Sequence, residues 1–90
     1  MTDDAAIGEA ILRLAAQCGP HRSICPSDAA RALAPTRTDD WQFLLPAVRR
    51  VAADLARAGR IDMLRKGRKV SPDGVKGVIR LRLAAPAPIG

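Results

Sequence analysis

Apolar residues recur at Ile7, Ile11, Leu14, Ala15 and Cys18, in steps of four, three, one and three that place them on one face of a helix. Asp3 and Asp4 precede this stripe, where a carboxylate caps free N–H groups and meets the positive end of the helix dipole. The pattern predicts an amphipathic helix of about four turns. Gly19 permits a left-handed cap and Pro20 refuses to continue the helix, so it stops there. His21, Arg22, Ser23 and Ile24 then make an extended segment, long enough only for a single strand paired at a sheet edge. Cys25 and Pro26 open a second helix, with Pro suited to the first helical position and Ser27 and Asp28 in the first turn. It is short, running through Ala29, Ala30 and Leu33 to a boundary at Ala34 and Pro35.

After a loop at residues 36–38, Asp39 or Asp40 caps a third stretch with apolar positions Trp41, Leu44, Leu45, Val48, Val51, Ala52 and Leu55. At 100° per residue these occupy about a third of the circumference. Pro46 conflicts with that stripe, because inside a helix it removes one hydrogen bond and costs ~3 kcal/mol. The expected resolution is a helical turn at 40–44, a bend, and then a longer helix with Pro46 near its start and Gly59 as its C-cap. Trp41 is expected to be the main core plug. Phe43, phased off the stripe, is either an exposed anchor or folded in, and core filling is the expectation because aromatics are scarce.

Beyond Gly59 the period changes to two. Residues 60–65 alternate with Ile61 and Met63 on one face, and residues 78–83 alternate with Ile79, Leu81 and Leu83 on one face and Arg80 and Arg82 on the other. Two antiparallel strands follow, and turn chemistry at Lys66-Gly67, Ser71-Pro72-Asp73-Gly74 and Gly77 leaves room for a third short strand at residues 68–71. Helix, short strand, helix, turn, helix and hairpin is the order of a winged helix-turn-helix. The predicted fold class is α+β, with three helices and a C-terminal antiparallel β-hairpin, or wing, in one domain over residues 1–83 and a flexible tail at 84–90.

Several runs carry a resemblance beyond this order. They are Ile24-Cys25-Pro26-Ser27-Asp28-Ala29-Ala30-Arg31-Ala32-Leu33, Trp41 with Leu45-Pro46-Ala47-Val48-Arg49, Leu55-Ala56-Arg57-Ala58-Gly59-Arg60-Ile61, Lys66-Gly67 and Lys76-Gly77-Val78-Ile79-Arg80. The chain resembles, from Ala5 to about Leu83, a bacterial family of short winged-helix-like domains of unknown function. The resemblance implies a fold and brings no site residues with it.

Composition limits the core. With 90 residues and 48% apolar content drawn mostly from Ala, Leu, Ile and Val, the chain makes one thin core and buries about 60–65% of its unfolded surface. No apolar run approaches the ~18 residues of a membrane span, and Thr2, Asp3 and Asp4 are unlike the basic flank of a signal peptide. The expectation is a soluble, cytoplasmic protein without a membrane partner, with Cys18 and Cys25 reduced.

Charge then singles out one region. Residues 57–82 hold nine basic side chains (Arg57, Arg60, Arg65, Lys66, Arg68, Lys69, Lys76, Arg80, Arg82) against two acids (Asp62, Asp73), a net of +7 in a chain of +6. Such asymmetry points to an anionic partner, and duplex DNA is the first reading. With Val48 at the centre of the buried face, Gln42, Arg49, Arg50 and Arg57 fall on the flank or back of the third helix, where arginine reads guanine or neutralises phosphate and Gln42 reads adenine. Arg65, Lys66, Arg68, Lys69 and Lys76 on the hairpin are the expected phosphate contacts. Arg80 and Arg82, on the outward strand face, are expected to do no more than solvate the sheet.

Each element also has a plainer reading. A basic hairpin keeps a domain soluble and its edge unpaired, and Arg49 and Arg50 pair equally well with Asp54 or Asp39. A protein-interaction or homodimerisation module is the alternative function. Enzyme chemistry is not expected, since there is no Tyr, one His and no phosphate loop after a strand. Cys18, His21 and Cys25 supply at most three metal ligands, one short of a structural zinc site unless Asp28 joins them, and no cofactor is expected. Cys25 at a helix start is read as a capping position and not a nucleophile.

Overall fold

A computed structural model of the chain describes residues 4–19, 21–34, 41–73 and 77–84. The calls on Asp3, Pro20, Pro35, the 36–38 loop, the Asp39 or Asp40 cap, Gly74, Lys76 and the tail past residue 84 lie outside the described residues. Three helices, α1 (Asp4–Cys18), α2 (Pro26–Leu33) and α3 (Trp41–Arg57), are followed by strands β1 (Ile61–Arg65), β2 (Arg68–Val70) and β3 (Arg80–Leu83). The strands form one antiparallel sheet in the order β2-β1-β3. This α+β layout is consistent with the winged-helix arrangement expected from the element order.

Local chemistry sets most of the boundaries. At the start of α2 the Cys25 N–H donates to the Asp28 carboxylate at 2.9 Å and the Asp28 N–H donates to the Cys25 carbonyl at 2.9 Å, with Pro26 in the first turn. At the end of α3 the Gly59 N–H donates to Ala56 O and the Arg60 N–H to Leu55 O, the paired bonds of a Schellman cap, and Gly59 takes the positive φ (78°) this needs. Lys66 and Gly67 both have positive φ (53° and 80°), and Arg65 pairs with Arg68 across them, so β1 and β2 are joined by a two-residue turn. The short segment before α2 pairs where it was expected to: Ile24 and Leu81 exchange two backbone hydrogen bonds at 2.7 Å on the free edge of β3.

The core is aliphatic. Ile7, Ile11, Val48, Ile61, Met63, Ile79 and Leu81 are its largest fully buried side chains, with Ala15, Ala29, Ala30 and Ala52 where elements approach closely. Trp41 is not the plug that its place on the stripe predicts. It is half-buried against the core margin, with the Arg31 guanidinium 4.5 Å above its ring.

Three further expectations are corrected. Pro46 does not divide the third helix, which runs without interruption from Trp41 to Arg57. Pro46 lies less than two turns from the start, so one ladder bond is lost, while an unbroken helix keeps Trp41, Leu44 and Leu45 in phase with Val48, Val51 and Ala52. Phe43 is not folded in; it is 81% exposed, because its phase on an intact helix points it away from the core. The third short strand that the turn chemistry allowed is present as β2, but the middle strand β1 does not alternate in burial as expected: Asp62 and Leu64, on its outward face, are buried as deeply as a core margin. The strands on both sides supply long side chains opposite these two residues, Lys69 and Arg80 across from Leu64 and Arg82 across from Asp62.

Candidate functional site

The basic side chains divide into those held by carboxylates and those that are not. On α3, Gln42 is exposed in the first turn. Arg50 reaches back to α1 and grips Asp4 with both prongs of its fork, at 2.7 and 2.8 Å. That pairing holds the Asp4 carboxyl below the usual carboxylate range and raises the Arg50 guanidinium. Arg57 sits between two carboxylates, with Nε 2.8 Å from Asp73 Oδ1 and Nη1 2.9 Å from Asp54 Oδ1. Asp73, in the connection from β2 to β3, is the larger cause of the rise in its pKa. Arg49 is half-buried and donates from Nη1 to the carbonyl of Gly77 at 3.1 Å. Of the partners weighed from sequence for Arg49 and Arg50, Asp54 bonds to Arg57 instead, and Asp39 lies outside the described residues.

On the sheet, Asp62 collects two cations, Lys69 at 3.3 Å and Arg82 at 3.0 Å. Burial pushes the Asp62 carboxyl up, but the hydrogen bonds from Arg82 and Lys69 outweigh it and the net direction is down. Lys69 is thus a structural cation as well as an edge residue. Arg65, Lys66 and Arg68 are exposed around the two-residue turn, and among the described residues none of them has an ion pair or side-chain hydrogen bond. The Arg65 guanidinium lies against Gly77, where an added Cβ would stand 3.8 Å from its Nη2. Gly77 therefore lies between Arg49 of α3 and Arg65 of β1. The structure brings together Arg49, Arg65, Lys66 and Arg68, sets Arg50 apart on the α1 side, and ties Arg57 to the β2–β3 connection.

Sequence reasoning gave Ser23 no role and expected Arg80 and Arg82 only to solvate the sheet, and the structure corrects this for all three. Arg80 donates from Nε to Ser23 Oγ at 2.6 Å and from Nη2 to the Ser23 carbonyl at 2.9 Å, so it is fixed in direction, and among the described residues it meets no carboxylate. Ser23 carried no signal, because its partner stands 57 positions away. Arg82, in contrast, pairs with Asp62. The remaining candidate chemistry is local: Cys18 is half-buried with its thiol against Ala15 O at 3.4 Å, His21 is an exposed turn residue, and both cysteines are free thiols. Among the described residues no group of three or more His, Cys, Asp or Glu is placed to share an ion, and no helix is long and apolar enough to cross a membrane.

No curated protein matches the chain. A family model described as a protein of unknown function (DUF3253) matches residues 4–84, a span that takes in every helix and strand described above. The chain belongs to that family.

Proposed function

We propose that the chain is a winged-helix nucleic-acid-binding domain, not an enzyme, that engages the phosphate backbone of duplex DNA chiefly through its β1–β2 hairpin. The observation that carries this reading is the trio Arg65, Lys66 and Arg68, exposed and without a carboxylate partner among the described residues. Free cations on a tight, two-residue turn displace condensed counterions without first breaking internal pairs. Gln42 and Arg49 line the approach from α3. Arg50 and Arg57 contribute less, since their charges are already balanced by Asp4, Asp54 and Asp73. The reading is of backbone contact with little base discrimination, because the two α3 arginines on the exposed face are committed elsewhere.

The test is a titration of a fluorescent mixed-sequence duplex with the full chain at two salt concentrations. Binding that weakens steeply with salt and changes little with sequence is the expected result. Absence of binding at low salt sinks the proposal.

One observation favours a second reading. Phe43 is 81% exposed on α3, and large aromatics of this kind anchor protein interfaces. A protein partner or second copy seated there predicts concentration-dependent sedimentation that Phe43→Ala abolishes.

A further inference from the structure

Among the described residues five arginines have bonded side chains, and two of them differ from the rest. Arg50, Arg57 and Arg82 end on carboxylates, whereas Arg49 ends on the Gly77 carbonyl and Arg80 on the hydroxyl and carbonyl of Ser23. Uncharged oxygens orient a guanidinium without cancelling its charge. Each guanidinium has five N–H donors. Arg80 directs two of them to Ser23 and Arg49 directs one to Gly77, so among the described residues at least half of each fork has no partner and can face a ligand.

Each of these arginines lines a cleft. Arg80 shares one of 420 Å³ with Leu64, Arg65, Lys66 and Gly67, and Arg49 shares one of 190 Å³ with Ser27, Leu45 and Gly77. Against the roughly 300–1,000 Å³ of sites that enclose whole small molecules, the Arg49 cleft suits a single group and the Arg80 cleft lies near the lower end of the range. Val78 lines both clefts and is 81% exposed, so it forms an apolar ridge between them. Gly77 and Arg80 are three residues apart, a span of at most roughly 11 Å of extended chain, so one ligand can reach both sides.

We propose that the two clefts are paired phosphate subsites, with Arg80 and Arg49 holding phosphates of one nucleic-acid backbone on either side of Val78, whose side chain packs on the intervening sugar. Lys66 and Arg65 add charge to the Arg80 side. The inference rests on the nucleic-acid reading above and makes it specific: the ligand is centred on β3 and the adjoining connection, not on the back of α3. Preorganisation is its distinguishing physical feature. Groups already held in place lose little freedom on binding, which leaves more of the interaction for affinity.

The experiment follows backbone amide and arginine Nε–Hε signals of the full chain by NMR, first with inorganic phosphate and then with a short duplex. The expected result is that duplex moves Gly77, Val78 and the Nε–Hε signals of Arg49 and Arg80 together, and that inorganic phosphate moves the same signals more weakly. Arg80→Gln and Arg49→Gln should each lower the slope of log affinity against log salt by about 0.9. Ser23→Ala separates orientation from charge: it should weaken duplex binding about two- to tenfold while leaving the salt slope unchanged. Val78→Ala should behave in the same way. Wild-type slopes and affinities in all four variants, with binding still lost on removing Arg65, Lys66 and Arg68, overturn the subsites and leave the nucleic-acid reading standing. Movement of the two Nε–Hε signals with inorganic phosphate but no duplex binding overturns the backbone proposal and identifies free phosphate as the ligand.

Discussion

The exposed side of α3 and the β1–β2 hairpin with β3 are both rich in arginine and lysine, yet they present different charge to solvent. On α3, Arg50 and Arg57 face Asp4, Asp54 and Asp73, and the groups neutralise one another. On the hairpin, Arg65, Lys66 and Arg68 have no such partners among the described residues, and Arg80 is aimed by neutral oxygens. The difference teaches that a count of basic residues in a segment is not a potential. What matters is where the carboxylates fall once the chain has folded: Asp4, Asp54 and Asp73 fall against the arginines of α3, and Asp62 on the sheet takes Lys69 and Arg82 and not the cations at the turn.

The largest expected effect separates the two regions directly. Replacing Arg65, Lys66 and Arg68 together by Gln should lower the salt slope of duplex binding by about 2–3, the loss expected for up to three phosphate contacts, whereas Arg50→Gln with Arg57→Gln should lower it by less than one. Equal losses from the two variants, read by fluorescence anisotropy, would erase the distinction.

Next in size is Asp62, the carboxylate that ties two sheet cations down. Asp62→Ala should cost about 1.5–3 kcal/mol in urea unfolding, because charged hydrogen bonds at a buried position are lost, and should also tighten DNA binding by releasing Lys69 and Arg82. The pH dependence has the same origin. The folded-state pKa of Asp62 is depressed, so its contribution is fully present above the unfolded value of about 3.9 and disappears as pH falls below that value through the folded one. Asp62→Asn should flatten the acid limb of stability against pH.

A smaller effect tests the helix side in reverse. Asp4→Asn leaves Arg50 charged and unpaired, so the salt slope should steepen by up to about 0.9 if α3 can reach the backbone at all. An unchanged slope would mean that α3 stays clear of the phosphates. The smallest effect belongs to Arg31, whose partner is a ring. Arg31→Ala should cost about 0.5–1 kcal/mol and shift Trp41 emission, with DNA affinity altered only by the loss of one distant charge.

Features fixed by neighbouring residues were legible in the sequence. The α2 start at Cys25-Pro26, the Gly59 cap and the Lys66-Gly67 turn are local chemistry, and the apolar periods placed all three helices and both long strands. Pro46 misled because propensity is a weak term beside the burial of an in-phase stripe. Phe43 misled because scarcity of aromatics says nothing about where an intact helix points one. The candidate site was legible only as a set of cations. Which of them are neutralised depends on pairs 46 and 16 positions apart, Asp4 with Arg50 and Arg57 with Asp73, and the aiming of Arg80 depends on Ser23 at a separation of 57. No pattern of spacing encodes such encounters; they exist only after the sheet has closed against the helices.

The proline inside α3 has a dynamic consequence. Inside α3, Pro46 has no N–H to donate to the Gln42 carbonyl, so the first turn is tied to the rest of the helix by one ladder bond fewer than an uninterrupted ladder would give. The first turn is therefore held less firmly than the middle of the helix, and amide exchange at Leu45 should run ahead of exchange at Val51 and Ala52. What opposes this opening is the packing of Trp41, Leu44 and Leu45 on the core margin, with the stacking of Arg31 on Trp41 added to it. The segment carrying Gln42 and Phe43 is thus the least firmly laddered part of α3, and a partner that grips either side chain would slow its exchange more than that of the rest of the helix.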